Sequence, residues 1–365
     1  MSSPRSNAHN QSLNHDHKVV TKRVRSRKGA PGILDVAARA GVSGASVSRY
    51  FNSPDVVRPQ TRHRIEQAAR ELGYIRDRMA GVLHGKMSGT VGLIVPTIDN
   101  AIFAELIEAF SAELHQHDRT MLIASHNYDL TLEVDIVRSL LERRIDAVAL
   151  VGRDHDVAAI EMLKIRDIPV VTLWNSKGVD SIVSIGTDNY QGAMQVTQHL
   201  IDLQHTDIAL MFPDTATNDR ARDRKAGAVD ALKGAGIDIP EHRDQSCEYD
   251  MAKAKALAMR ILANNAPSAF ICGNDVIAHG VIHGAIRLGL NVPKDLSVVG
   301  IGDFRGSSAI EPPLTTVRLP ARRIGQTAAS VLVDKLVSRE LKTMSDTIIP
   351  SELIIRESTA VFRCR

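Results

Sequence analysis

From Ser43 to Asn52 the sequence reads SGASVSRYFN, a run whose side-chain types suit contact with a DNA duplex. Ser43, Ser46, Ser48, Asn52 and, further on, Thr61 are short hydroxyl and amide groups that bind phosphate oxygens and fix register without reading bases. Arg49 can make a two-pronged contact to guanine, Ala45 can touch a thymine methyl, and Gly44 offers no side chain. Leu34, Tyr74 and Arg78 complete the candidate DNA-facing set. The competing reading of the same residues is a small three-helix core packed on the rest of the protein.

Such groups need a scaffold, and the neighbouring sequence supplies one. In ILDVAARAGVS, the residues Leu34, Val36, Ala37, Ala40 and Val42 recur near helical spacing, with Asp35 in the first turn. Gly41 suits the left-handed end of that helix. Ser43 stands where it can cap a second helix, whose inner face would be Val47, Tyr50 and Phe51. A third helix is expected in RPQTRHRIEQAARELGY, with Ile65, Ala68, Ala69 and Leu72 inward. Two helices joined by a tight glycine turn and braced by a third form a helix-turn-helix, with the second helix entering the major groove by its N-terminal end.

Charge is distributed to match. The 365 residues carry a net charge of only +3. Residues 1–88 hold 16 Lys and Arg against 6 Asp and Glu, and the remainder holds 29 against 36. A basic head on an acidic body predicts that only the head meets a polyanion. Residues 1–30 are polar and without hydrophobic period, so they read as a disordered basic tail. With 44% hydrophobic residues the chain can build real cores, and at 4% aromatic it is poor in stacking surfaces for single strands. No apolar run approaches the roughly 20 residues that span a bilayer, and the N-terminus has no apolar signal core. Cys247, Cys272 and Cys364 are odd in number and widely spaced, which predicts neither a metal site nor a disulfide framework. The expected location is cytoplasmic, with the nucleoid.

LDVAARAGVSGASVSRYFN followed by TRHRIEQAARELGY resembles the N-terminal signature of the lactose-repressor (LacI/GalR) family of bacterial transcription regulators, and the likeness runs from about Ile33 to Thr359. The resemblance implies a homodimer on a pseudo-palindromic double-stranded operator. It also implies that RDRMAGVLHGK becomes a hinge helix on the operator, with Leu83 levered into the minor groove. Gly81 and Gly85 make that segment a poor isolated helix, and an apolar wedge repays its cost only on DNA. Two departures stand out: Arg76 replaces a common proline and Asp77 a common asparagine. The expected divisions are the tail at 1–30, the head at 31–76, the hinge at 77–88 and the effector domain at 89–365.

From Thr90 onward, β-rich runs alternate with helical stretches: TVGLIVP, TMLIAS, DAVALVG, IPVVTLW, DIALMFP, PSAFICG and LSVVGIG. Near-continuous Val/Ile/Leu runs between helices indicate parallel sheets covered on both faces. Seven such units predict two α/β lobes. The fold class is therefore α/β, with an all-α helix-turn-helix head before the body. The resemblance adds a two-lobed, periplasmic-binding-protein-like effector domain crossed three times by the chain, near 187–190, 317–320 and 347–351. One lobe would be about 89–188 with 318–348, the other 189–317 with 349–365.

Ligands of parallel α/β sheets lie beyond the carboxyl ends of the strands. That rule selects Asn100, Phe103, Asn127, Arg153, His155, Trp174, Arg224, Asn274, Asp303 and Phe304, with Asp99, Asn100 and Asp275 read equally as helix caps. Trp174 looks like part of an exposed edge, with a core position as the alternative, and Asp219 with Arg220 reads as a surface pair. The family resemblance marks Arg224 and Asn274 as recurrent effector contacts. It also puts Gly302 of GIGDF where most relatives carry a carboxylate, and likens GDF and the RDH of Arg153–His155 to the gluconate-repressor branch. Loss of that anion favours a sugar acid such as gluconate. The implied protein is a repressor of sugar-acid catabolism genes. Its rivals are a regulator responding to a neutral hexose or pentose or to a corepressor, and a sugar-binding receptor. No catalytic set, phosphate loop or dinucleotide fingerprint is present, so no enzyme, cofactor or metal is expected. Only AVFRCR follows SELIIREST, too short for a tetramerising heptad helix, and a dimer is expected.

Overall fold

A computed structural model describes residues 30–77, 87–179, 182–338 and 345–363. The chain divides into a head, through His84, and a body from Gly85.

In the head, α1 (Ile33–Ala40), α2 (Gly44–Asn52) and α3 (Pro59–Leu72) enclose Val36, Ala37, Ala40, Val47, Ile65 and Ala68. The turn between α1 and α2 is built by Gly41, whose φ of 63° is the left-handed conformation that glycine adopts without strain. Ser43 then caps α2, its hydroxyl accepting from the Ser46 amide at 3.2 Å. Pro59 opens α3 at a position where a missing amide hydrogen costs nothing.

The body holds two six-stranded sheets. In chain order its strands are β1 (Thr90–Val95), β2 (Thr120–Ser125), β3 (Ala147–Val151), β4 (Val170–Trp174), β5 (Ser184–Gly186), β6 (Ile208–Phe212), β7 (Asp244–Ser246), β8 (Ala269–Cys272), β9 (Ser297–Gly302), β10 (Thr315–Arg318), β11 (Thr347–Ile348) and β12 (Glu352–Ile354). The first sheet runs β11-β5-β4-β3-β1-β2 and the second β12-β10-β9-β8-β6-β7. All pairings are parallel except β10 with β12, so each lobe is a doubly wound α/β layer and the second ends in one antiparallel edge. The seven apolar runs of the sequence all form strands. Five further strands, β5, β7, β10, β11 and β12, have only two to four residues and no apolar run of their own.

The chain leaves the first sheet after Gly186, returns after Arg318, and crosses again between Ile348 and Glu352. The covering helices are α4 (Ala101–Gln116), α5 (Glu133–Glu142), α6 (Val157–Ile165), α7 (Asn189–Asp202), α8 (Asp219–Gly234), α9 (Met251–Asn264), α10 (Asp275–Arg287) and α11 (Ala321–Ser338). The carboxyl ends of β1, β2, β4, β6, β7, β8 and β9 and the loops that follow them line one cleft between the lobes.

Close approach of α4 and α11 depends on Gly325, where a Cβ would sit 2.4 Å from the Leu106 carbonyl oxygen. Gly325→Ala should therefore force the helices apart and cost about 1–3 kcal/mol, read as a lower urea midpoint for the body. An unchanged midpoint would show that the helix pair yields freely.

Candidate DNA-reading head and interlobe cavity

The start of α2 presents Ala45 and Arg49 to solvent, with Ser46 and Ser48 partly exposed beside them. Part of this polar set is already engaged. The Ser43 and Ser46 hydroxyls lie 3.0 Å apart within the cap. Asn52 donates to the Ser48 carbonyl at 2.7 Å and accepts from the Arg76 guanidinium through its own oxygen. Leu34, one of the candidate DNA-facing residues, is 67% exposed. It stands beside the first turn of α2, where a Cβ on Gly44 would lie 3.2 Å from its methyl. Thr61 is partly buried at the start of α3. Tyr74 packs its ring against Phe51 at 5.5 Å. Arg78 and Leu83, with most of the hinge segment, lie outside the described residues, as does the tail through residue 29.

Between the lobes a small inner cavity of about 20 Å³ adjoins an open pocket of about 380 Å³, and Asn100, Tyr128 and Tyr249 line both. Phe103, Trp174, Arg224, Asn274 and Phe304 line the inner one. Trp174 is not on an exposed edge: it is 1% exposed, with its ring 5.2 Å from Phe103. Its φ of 84° turns the chain sharply at the end of β4.

Arg224 is buried on α8, with Nε donating to Asn189 Oδ1 at 2.9 Å and Nη1 to the Gly273 carbonyl at 3.1 Å. Both partners are neutral, and burial pushes its guanidinium pKa down. Asn274 uses its side-chain oxygen to cap α10, accepting from the Ile277 amide at 3.0 Å. Its amide nitrogen is buried and has no hydrogen-bond partner among the described residues. A buried cation without an anion and a buried donor without an acceptor are both costly. Together they fit an anionic or acceptor-rich ligand group at one point of the cleft.

The carboxylate nearest in chemistry, Asp219, is fully engaged elsewhere. It accepts from the Arg153 amide at 2.6 Å, the Asn175 side chain at 2.5 Å, and the Arg220 amide and guanidinium at 2.8 and 2.6 Å. Burial works against its charge, yet Arg220 and these donors hold its carboxyl below the usual range. The Asp219–Arg220 pair is buried rather than on the surface. Arg153 and Asn175 belong to the first lobe and Asp219 to the second, so the cluster ties the lobes together. Arg153 to Asp223 at 2.6 Å and Arg222 to Asp154 at 2.7 Å repeat the tie.

Several candidates thus lie outside both cavities. Arg153 is spent on the cross-lobe cluster. The His155 side chain is buried with its nitrogens 2.8 Å from Glu133 and 3.0 Å from the Gly152 carbonyl. Asn127 is exposed at a φ of 48°. Asp303 pairs with Arg318 at 2.7 Å and Arg356 at 2.6 Å. Asn100 caps α4 and Asp99 lines the open pocket. Asp275 is no cap either, since Asn274 fills that role. It is buried and accepts from the Phe304 amide and the Ser307 and Thr316 hydroxyls, holding the loop after β9. Tyr128 and Tyr249 were not among the sequence candidates. Tyr128 follows Asn127 by one residue, and Tyr249 follows the three-residue β7.

Gly302 has a structural role of its own. Its φ is 149°, and a Cβ there would fall 2.2 Å from the Phe304 ring, which is folded over it as one wall of the inner cavity.

A three-helix head followed by a two-lobed α/β body defines a DNA-binding regulator with a ligand-binding-protein-like body. Residues 32–77 match the model for bacterial regulatory proteins of the lacI family, and 197–359 match a periplasmic binding protein-like domain. The chain is 30% identical over 331 residues to the HTH-type transcriptional repressor PurR of Erwinia tasmaniensis, spanning 90% of this chain and 96% of that one. It belongs to the LacI family of bacterial transcriptional regulators, a family of DNA-binding proteins and not of enzymes. Among solved structures it is similar to the lac repressor dimer bound to operator and the anti-inducer ONPF, with a TM-score of 0.79, 27% identity and coverage of 91% and 99% of the two chains. It is also similar to the CelR–cellobiose complex, with a TM-score of 0.67, 25% identity and coverage of 90% and 99%.

The Phe304 wall carries a pH signature. His279 on α10 lies 3.3 Å from Ser307, and burial, aided by His283, lowers its pKa from 6.5 to about 4. A base depressed in the folded state supplies stability above its unfolded value and loses it as pH falls from 6.5 toward 4. Denaturant titrations across that window should show falling stability, with a flatter profile for His279→Asn. Equal slopes in both proteins would refute the assignment.

Proposed function

We propose that the chain is a homodimeric repressor of sugar-acid catabolism genes, released from or retained on a pseudo-palindromic operator by an effector such as gluconate. The observation that carries this reading is Arg224, a buried cation whose hydrogen-bond partners are neutral, beside the unpartnered amide of Asn274. A ligand carboxylate would relieve both costs at once. The aromatic faces of Phe103, Trp174 and Phe304 suit the apolar side of a sugar chain. Effector binding acts by population shift, limited by how differently the two states of the body hold the ligand.

A second reading, a neutral hexose or pentose effector, draws on the open pocket. Asp99, Asp214, Glu248 and Asp250 line it, and carboxylates there accept from hydroxyls while repelling an anion. The CelR relative is a complex with cellobiose, a neutral sugar. An acid that enters carboxylate first and leaves its hydroxyls in the mouth satisfies both sets of groups.

The test is a fluorescence titration of Trp174, the single tryptophan, with gluconate, glucose and ribose. Saturable change with gluconate alone is the expected outcome, and Arg224→Gln should weaken it by about 30-fold or more. Saturation by glucose or ribose instead would transfer the assignment to the neutral-sugar reading. Operator binding should fall steeply with salt, about 0.9 log units per log unit of salt for each phosphate neutralised.

A further inference from the structure

The ends of the first two helices in the head are both closed by arginines from further along the chain. Arg64 of α3 donates to the Ala40 and Gly41 carbonyls at the end of α1. Arg76 closes α2 in the same way, donating from one guanidinium nitrogen to the Phe51 carbonyl and from the other to the Asn52 side-chain oxygen. The last carbonyls of a helix have no partner within it and sit at the negative end of its dipole, so a forked cation is well matched there. Tyr74 adds an apolar hold, its ring against Phe51. Gly73, at a φ of 63°, ends α3 and turns the chain back toward α2.

Residues 74–76 are therefore fastened to the C-terminal turn of the helix whose N-terminal turn carries Ala45 and Arg49. We infer that Arg76 is a positioning residue for operator recognition: its fork sets the direction in which the chain leaves the head relative to the reading helix. Asn52 belongs to the same device. Its nitrogen is held by the Ser48 carbonyl and its oxygen by Arg76, so it serves the clamp rather than a phosphate. The inference rests on α2 being the reading helix.

The experiment uses the full-length protein, the tightest duplex it selects from a random-sequence pool, and unselected duplex as the non-specific probe. Arg76→Ala should weaken the selected site about tenfold, leaving non-specific affinity and the slope against salt unchanged. Arg76→Lys should fail to rescue, because an ammonium keeps the charge but not the fork. Combining Arg76→Ala with Asn52→Ala should cost no more than Arg76→Ala alone, as expected of two halves of one contact. A slope smaller by about one charge, with equal weakening on both duplexes, would make Arg76 a phosphate contact and overturn the inference. Rescue by lysine, additive effects or undiminished affinity would overturn it as well.

Amide hydrogen exchange separates positioning from folding. Protection in α1 and α3 should survive Arg76→Ala, with loss confined to the end of α2. If Arg76→Ala unfolds the head, Asn52→Ala removes one arm alone, and it should show a smaller loss of selected-site affinity at constant slope. If Arg49→Ala leaves selected-site affinity intact, the assignment of α2 as the reading helix fails instead.

Discussion

The body of this regulator is organised around one buried carboxylate. Asp219 opens α8 in the second lobe, yet two of its donors, the Arg153 amide and the Asn175 side chain, come from the first. A buried anion is tolerable only when nearly every lone pair is answered, and here the answers come from both lobes. The strand ends that bear those donors are thereby fixed against α8, which also carries Arg224. Placement of the candidate effector cation is thus a by-product of the contact that joins the lobes. Asn189 extends the same logic, donating to the Trp174 carbonyl at 3.1 Å and accepting from Arg224, so that the aromatic wall and the cation share one amide.

The cleft is electrostatically graded. Its deep end has Arg224 with neutral partners, and its mouth has acidic side chains, two of them already assigned: Asp250 caps α9 and Glu248 pairs with Lys253 at 2.6 Å. Charge of one sign at depth and the other at the entrance orients an elongated ligand more strongly than it raises total affinity, since the attraction at one end is partly cancelled at the other. The cavity's cation and its aromatic faces come from different elements: Arg224 from α8, the rings from α4, β4 and the loop after β9.

Much of the architecture was legible because local signals agreed. Gly41, Ser43 and the apolar period of α1 to α3 point to the same three helices that form, and the seven Val/Ile/Leu runs are the buried parallel strands. The five unread strands are too short for period or composition to register, and missing β7 meant missing Tyr249 after it. Tyr128 was overlooked by one position, because the left-handed conformations of Asn127 and Tyr128, with φ of 48° and 64°, reorient that loop in a way strand-end counting does not anticipate. His155 and Arg153 follow a strand as ligand-binding residues do. Their partners, Glu133, Asp219 and Asp223, are 22 to 70 residues away in sequence, and no local pattern announces them.

The packing of Phe304 over Gly302 also constrains how this cleft can change by descent. A carboxylate cannot be introduced at position 302 while the aromatic ring occupies the space its Cβ needs, and the backbone there disfavours any L side chain. Nor does shrinking Phe304 alone supply a charge; it opens a void at the cavity wall. The two positions are therefore sterically coupled: a side chain at position 302 clashes with the ring, and a smaller residue at position 304 leaves a void. The shape of this wall is thus fixed by two residues together rather than by either alone.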